Sequence, residues 1–120
     1  MKWDVVFTYT RKQAIEDGVL VDVSPVAREA GIVYPVALTC AVWGKYVEVP
    51  SGVVAQDEKG RLWDILWMLR HAAQRGGSEI EVMLYVQNDN KKPRRVTLKA
   101  LCGPGDDLEP VITVMLPEED

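Results

Sequence analysis

Two tryptophans, Trp63 and Trp67, stand one helical turn apart in the segment RLWDILWMLR. On a helix at ~100° per residue, one apolar stripe runs through Leu62, Ile65, Leu66, Leu69, Ala72 and Ala73. Trp63 falls about 110° from the centre of that stripe, and Trp67 about 150°. Side chains of that size off the main stripe need a second surface, given by other helices or by a partner. Tryptophan buries a large area at low entropic cost and is enriched in binding hot spots. The pair is therefore the candidate partner-binding site, for another protein or for a homodimer mate.

A second chemistry is suggested by Lys91-Lys92-Pro93-Arg94-Arg95, in which four of five residues are cationic. Lys91, Lys92, Arg94 and Arg95 are the candidate phosphate contacts of a nucleic-acid-associated protein. The interleaved aromatics of a single-strand binder are missing from this run. The chain as a whole carries a net charge of −4, which argues against a globally basic binder and marks the molecule as electrically polarised.

The remaining chemical groups are sparse. Gly103-Pro104-Gly105-Asp106-Asp107 has glycines and carboxylates, but a strand follows it rather than a helix. It lacks the Gly-Lys-Ser/Thr of a phosphate loop and the longer ligand series of a calcium loop. His71 is the one histidine. Asp64 shares its helix face, but two turns, ~10 Å of rise, separate them, too far for a hydrogen bond. Cys40 and Cys102 form no metal-ligand spacing. No catalytic residue, metal site or cofactor is assigned, and an enzyme with an acidic site built on Asp57, Asp64, His71, Asp106 and Asp107 ranks last.

The elements that must position these residues follow from punctuation and period. Trp3–Tyr9 alternates as a strand. Thr10 and Gln13 have capping-box spacing, and Gly18 closes the helix they open. Val19–Val23 is a short strand or an extended link. Ser24-Pro25 starts a helix that Gly31 stops. Pro35 opens another, to about Val47, in which Val36, Cys40, Trp43 and Val47 share one face; that places Cys40 in the core. Asp57 caps the Gly60–Arg75 helix, and Gly76-Gly77 ends it.

The period then changes to two. Ile80, Val82, Leu84 and Val86 alternate with Glu79, Glu81, Met83, Tyr85 and Gln87, and strands follow at Arg95–Leu101 and Val111–Leu116. The last strand is apolar on both faces, so it belongs inside the sheet, with the N-terminal strand beside it. The predicted class is α+β, one domain over residues 1–120. About four helices pack on one face of a mainly antiparallel sheet of three to four strands, a C-terminal β-meander plus the N-terminal strand.

Composition fits this: of 120 residues, 48% are hydrophobic and 27% charged, as in ordinary globular domains. There is no membrane-length apolar run, and the first residues lack the pattern of a signal peptide. A cytoplasmic protein that does not enter membranes is expected.

The segments YTRKQAIEDGVLVDVS, QDEKGRLWDILWMLR and LCGPGDDLEPVITVMLPEED resemble the recurring blocks of a family of small bacterial proteins of unknown function, often carried on plasmids, phages and other mobile elements. The resemblance runs from Tyr9 to Asp120. It implies an intracellular accessory protein of a mobile element and transfers no functional residue. With it, the expected function is a non-enzymatic protein-binding module, ahead of the nucleic-acid-associated reading.

Overall fold

A computed structural model describes residues 9–119. The expected strand over Trp3–Tyr9 lies, apart from Tyr9, outside the described residues. Thr10 opens α1 (Arg11–Glu16) with the reciprocal bonds of a capping box: its hydroxyl accepts from the Gln13 N–H, and the Gln13 side chain accepts from the Thr10 N–H. Strand β1 (Leu20–Asp22) leads to α2 (Ser24–Glu29). The Ser24 hydroxyl is not the expected cap. It is buried and accepts from the Val36 N–H at 3.0 Å while donating to Asp22 Oδ1 at 2.6 Å. It thus ties the β1–α2 junction to the next strand. Gly31 adopts φ +92° and lets Ile32 N–H reach back to the Ala27 carbonyl.

The largest correction comes next. Val36–Thr39 is strand β2, not the start of a helix. Val36, Ala37 and Leu38 are all fully buried. Burial on both faces is what a central strand experiences, and a continuous apolar run satisfies it. The helical spacing of Val36, Cys40, Trp43 and Val47 is a coincidence of that run with the turn that follows. Thr39 caps this turn, α3 (Cys40–Val42), which continues as a π-helical turn over Trp43–Val47. Cys40 then lies on the outside, exposed rather than in the core, and Cys102 is half-buried.

Asp57 caps α4 (Glu58–Ala73) as expected, its Oδ1 accepting from the Gly60 N–H at 2.6 Å. A Cβ at position 60 would lie 2.8 Å from that oxygen, so glycine allows the close approach. Strands β3 (Glu79–Val86), β4 (Arg94–Pro104) and β5 (Pro110–Met115) form the expected meander.

Among the described residues the sheet has five strands in the order β1-β2-β5-β4-β3, and it is mixed rather than mainly antiparallel. β5 is interior, as its two apolar faces require, but its second neighbour is β2, running parallel, with Leu38 against Val114. A parallel pair needs a long crossover; here it comprises α3, the π turn, α4 and the β3–β4 hairpin. The core lies on one face, where Leu38, Val114, Leu98 and Val82 meet Ile65, Leu66 and Leu69 of α4. Helix α1 stands on the other face. There Arg11 donates to the Thr113 hydroxyl at 2.6 Å and to the Ile112 carbonyl at 2.8 Å. The helices therefore occupy both sides of the sheet rather than one.

Candidate partner-binding site

The site is built on the outer part of α4 and on β3, an edge strand of the sheet among the described residues. The α4 stripe of Leu62, Ile65, Leu66 and Leu69 is consumed by the core, which turns the positions between toward the rim. Trp63 is half-buried and packs against the core's margin. One turn on, Trp67 stacks on it with centroids 6.0 Å apart and remains 39% exposed. His71, a further turn along, meets the Trp67 ring edge-on at 5.0 Å, and the Arg70 guanidinium lies 5.4 Å from its centroid.

The exposed side of this ladder faces a groove of about 250 Å³ at the sheet edge, lined by Asp64, Trp67, Met68, Met83, Tyr85 and Arg95. Met68, Met83 and Tyr85 are exposed, Tyr85 to 68%. The groove thus gathers two flexible thioethers and two aromatic rings, with a carboxylate and a guanidinium at its rim. Such a surface suits an apolar, peptide-like contact bounded by charge. Trp63 and Trp67, singled out by their angle off the apolar stripe, are brought together here. Met68, Met83 and Tyr85 are additions. Met68 is the residue after Trp67 on α4, while Met83 and Tyr85 are outward positions in a strand pattern, and only the tertiary fold sets that strand beside Trp67.

A second constellation lies at the other end of α4. Arg61 is buried to 6% exposure without a carboxylate partner among the described residues. Its Nε donates to the Tyr46 carbonyl (3.0 Å), Nη1 to Gln56 Oε1 and to the Gln87 carbonyl (both 2.8 Å), and Nη2 to Asn88 Oδ1 (2.5 Å). Asn88 Nδ2 in turn donates to the Lys45 carbonyl at 3.1 Å. The Lys45 and Tyr46 carbonyls belong to the last turn of the π-helical segment, where no partner within the helix is available. Arg61 and Asn88 supply them, and the guanidinium sits favourably at a helix C-terminus. Burial lowers the Arg61 pKa. The residue is a clamp joining α4, the π turn and the β3–β4 hairpin. Its legible signal was a cation at position 61, in line with Ile65 and Leu69 on the apolar stripe.

Arg61 also lines a polar cavity of about 460 Å³ with Gln56, Asp57, Gly60 and Asp64. Partial burial raises the Asp64 pKa. Of the five residues named for an acidic site, only Asp57 and Asp64 meet here. His71 is on the aromatic ladder. Asp106 is at the β4–β5 turn, where its two oxygens accept from the Arg11 and Lys12 N–H groups at 2.8 and 3.0 Å. Those two bonds hold its pKa below the usual carboxylate range. Asp106 thus anchors the start of α1. Asp107 is exposed beside it.

Lys91, Lys92, Arg94 and Arg95 are all exposed. They sit at the β3–β4 hairpin and the start of β4; Arg94 lies 3.6 Å from Asp89, and Arg95 also borders the Trp67 groove. Among the described residues no three His, Cys, Asp or Glu side chains are placed to hold a metal ion. Nor is any described helix long and apolar enough to cross a membrane.

Fold and site together define a small α+β protein with a five-stranded mixed sheet and an aromatic groove at its outer strand. The chain belongs to the family of unknown function DUF6573, whose family model matches residues 2–120. No curated protein and no solved structure matches the chain.

Proposed function

We propose that the chain is a non-enzymatic protein-binding module whose contact surface is the groove between α4 and β3. One observation carries the reading: Trp67 is 39% exposed, stacked on Trp63, in a groove it shares with Met68, Met83 and Tyr85. Soluble proteins usually hide or use a contiguous apolar patch of this kind. The polar groups at the opposite end of α4 are engaged in holding the fold, Asp57 on the Gly60 N–H and Arg61 on four acceptors.

The cellular setting belongs to the same proposal and rests on the sequence resemblance: an accessory protein of a mobile element in the bacterial cytoplasm. The test is photo-crosslinking from position 68 in the native host. Adducts with a protein that disappear on Trp67→Ala are the expected result. Adducts that persist with unchanged yield in Trp67→Ala would overturn the assignment of the surface.

A further inference from the structure

The structure does more than expose an apolar groove; it supplies a backbone template beside it. β3 is the outermost strand, paired only with β4 among the described residues. The Cys102 N–H donates to the Ser78 carbonyl at 2.8 Å, which continues the Glu79–Leu101 register by one residue. In an antiparallel ladder, bonded pairs recur at every second residue. Ile80, Val82 and Leu84 therefore turn their N–H and C=O groups toward β4. Glu79, Glu81, Met83 and Tyr85 turn theirs outward, to the edge that no other described strand occupies.

Eight residues of edge strand with no proline would ordinarily be a liability. Charge along this edge decides what it accepts. The strand starts with Glu79 and Glu81 and ends at the hairpin carrying Lys91, Lys92, Arg94 and Arg95. A parallel neighbour of the same kind would set acid against acid. An antiparallel copy sets the acidic end of each strand beside the basic end of the other.

We propose, on the strength of the protein-binding reading above, that the occupant of this edge is a second copy of the chain. The two β3 strands pair antiparallel about a two-fold axis at Val82 and join two sheets into one of ten strands. That register sets Glu81 opposite the partner's Met83 and Glu79 opposite the partner's Tyr85. Arg95 lies on β4 directly opposite Tyr85, so each Glu79 comes within two strand spacings, about 10 Å, of the partner's Arg95, a span two long side chains can bridge. The interface is isologous, the same patch on both copies, as a closed dimer requires. Trp67 and Met68, which line the groove with Met83, come to the seam on the helix side, and the groove of each copy is covered by the other.

Sedimentation equilibrium of the full chain reads the outcome. The wild type is expected at twice the chain mass. Met83→Pro removes an outward N–H and no bond of the monomer's own ladder, so it is expected to sediment as a monomer with an unchanged circular dichroism spectrum. Charge reversal covers the case in which that variant fails to fold. Glu79→Lys/Glu81→Lys and Arg94→Glu/Arg95→Glu should each be monomeric, and an equimolar mixture of the two should recover the dimer.

A wild type that stays monomeric at millimolar concentration overturns the proposal, as does a dimer untouched by the charge reversals. A dimer that survives a folded Met83→Pro but dissociates in Trp67→Ala also overturns strand pairing, while leaving the aromatic groove as a binding surface. The two readings therefore fail separately.

Discussion

The two ends of α4 face the same problem, large polar or aromatic groups at the margin of a core, and solve it differently. Around Arg61 the solution is internal. The guanidinium, the hairpin and the π turn satisfy one another, and little is left for an outside molecule. Around Trp67 the solution is incomplete: a stacked ring, two thioethers and a tyrosine remain exposed beside a strand that pairs on its outer side with none of the described residues. The contrast separates fold from function. A buried polar group must be matched for the protein to exist, whereas exposed apolar area is tolerated by the monomer and rewarded by a partner.

The sharpest way to break the comparison is at Arg61. Arg61→Met keeps length and apolar stem but leaves the Tyr46 carbonyl without its donor, while the Gln87 carbonyl keeps the Gln56 Nε2 bond at 2.8 Å and loses only the second. An orphaned acceptor costs roughly 1–3 kcal/mol, so a loss of about 2 kcal/mol in urea unfolding is expected. Arg61→Lys should recover part of it, because a single ammonium cannot span acceptors arranged for a planar fork. Equal stability of the wild type and Arg61→Met would show that the matched end is not what holds the hairpin.

The open end should respond in the opposite sense. Trp67→Ala is expected to cost under about 1 kcal/mol of folding stability, well below the ~3–5 kcal/mol of a fully buried aromatic, while abolishing partner capture or self-association. Trp63→Ala, half-buried against the core, should cost more, about 2 kcal/mol. If Trp67→Ala proves the costlier of the two, Trp67 is structural and the contrast between the ends disappears.

How far this was legible in the sequence depends on the range of the interactions. The Thr10/Gln13 box, the Asp57 cap and the alternation of Glu79–Val86 are set within a few residues, and they stand as read. The off-stripe angle of Trp63 and Trp67 is also local, and it correctly set them apart from Leu62 and Leu66. What failed is non-local. After Pro35 the positions Val36, Cys40, Trp43 and Val47 fit a helix by spacing, whereas the run Val36–Leu38 fits a central strand by burial. Only pairing with Ile112–Val114, more than seventy residues away, decides for the strand. The same pairing displaced Cys40 from core to surface, so rapid labelling of its thiol under native conditions is now expected. Arg61 was missed because its four acceptors are two backbone carbonyls and two amide side chains, which leave no pattern of opposite charge to read.

A smaller effect, confined to acid, tests the far side of the sheet. Asp106 accepts two N–H groups of α1, and its pKa is lowered in the folded state. The ionised form is therefore the one the fold prefers. Its contribution is present above the unfolded pKa, near 3.8, and is lost as pH falls through the lowered folded value. Asp106→Asn, with one acceptor oxygen instead of two, should flatten the decline of stability below that pH and loosen α1, leaving the groove at β3 unchanged. An identical acid-denaturation profile in wild type and variant would show that the anchor contributes nothing.

The smallest effect on folding is expected at the hairpin, and it weighs the nucleic-acid-associated reading against the protein-binding one. Lys91, Lys92, Arg94 and Arg95 are exposed, and the one ion pair they make among the described residues, Arg94–Asp89 at 3.6 Å, lies at the surface, where such pairs contribute little. Replacing all four by Ser should shift unfolding by less than about 0.5 kcal/mol. Function is where the change should appear. If the hairpin contacts phosphate, the wild type should bind nucleic acid at low salt, with a steep decline as salt rises, and the variant's salt slope should fall by up to about four contacts. If the cations instead steer a second β3 strand into register, the wild type should show no such binding. The quadruple variant should then weaken self-association in low salt and differ less from the wild type as screening increases. The same four substitutions therefore give opposite results under the two readings, and a salt titration of each protein, with and without a nucleic-acid duplex, distinguishes them.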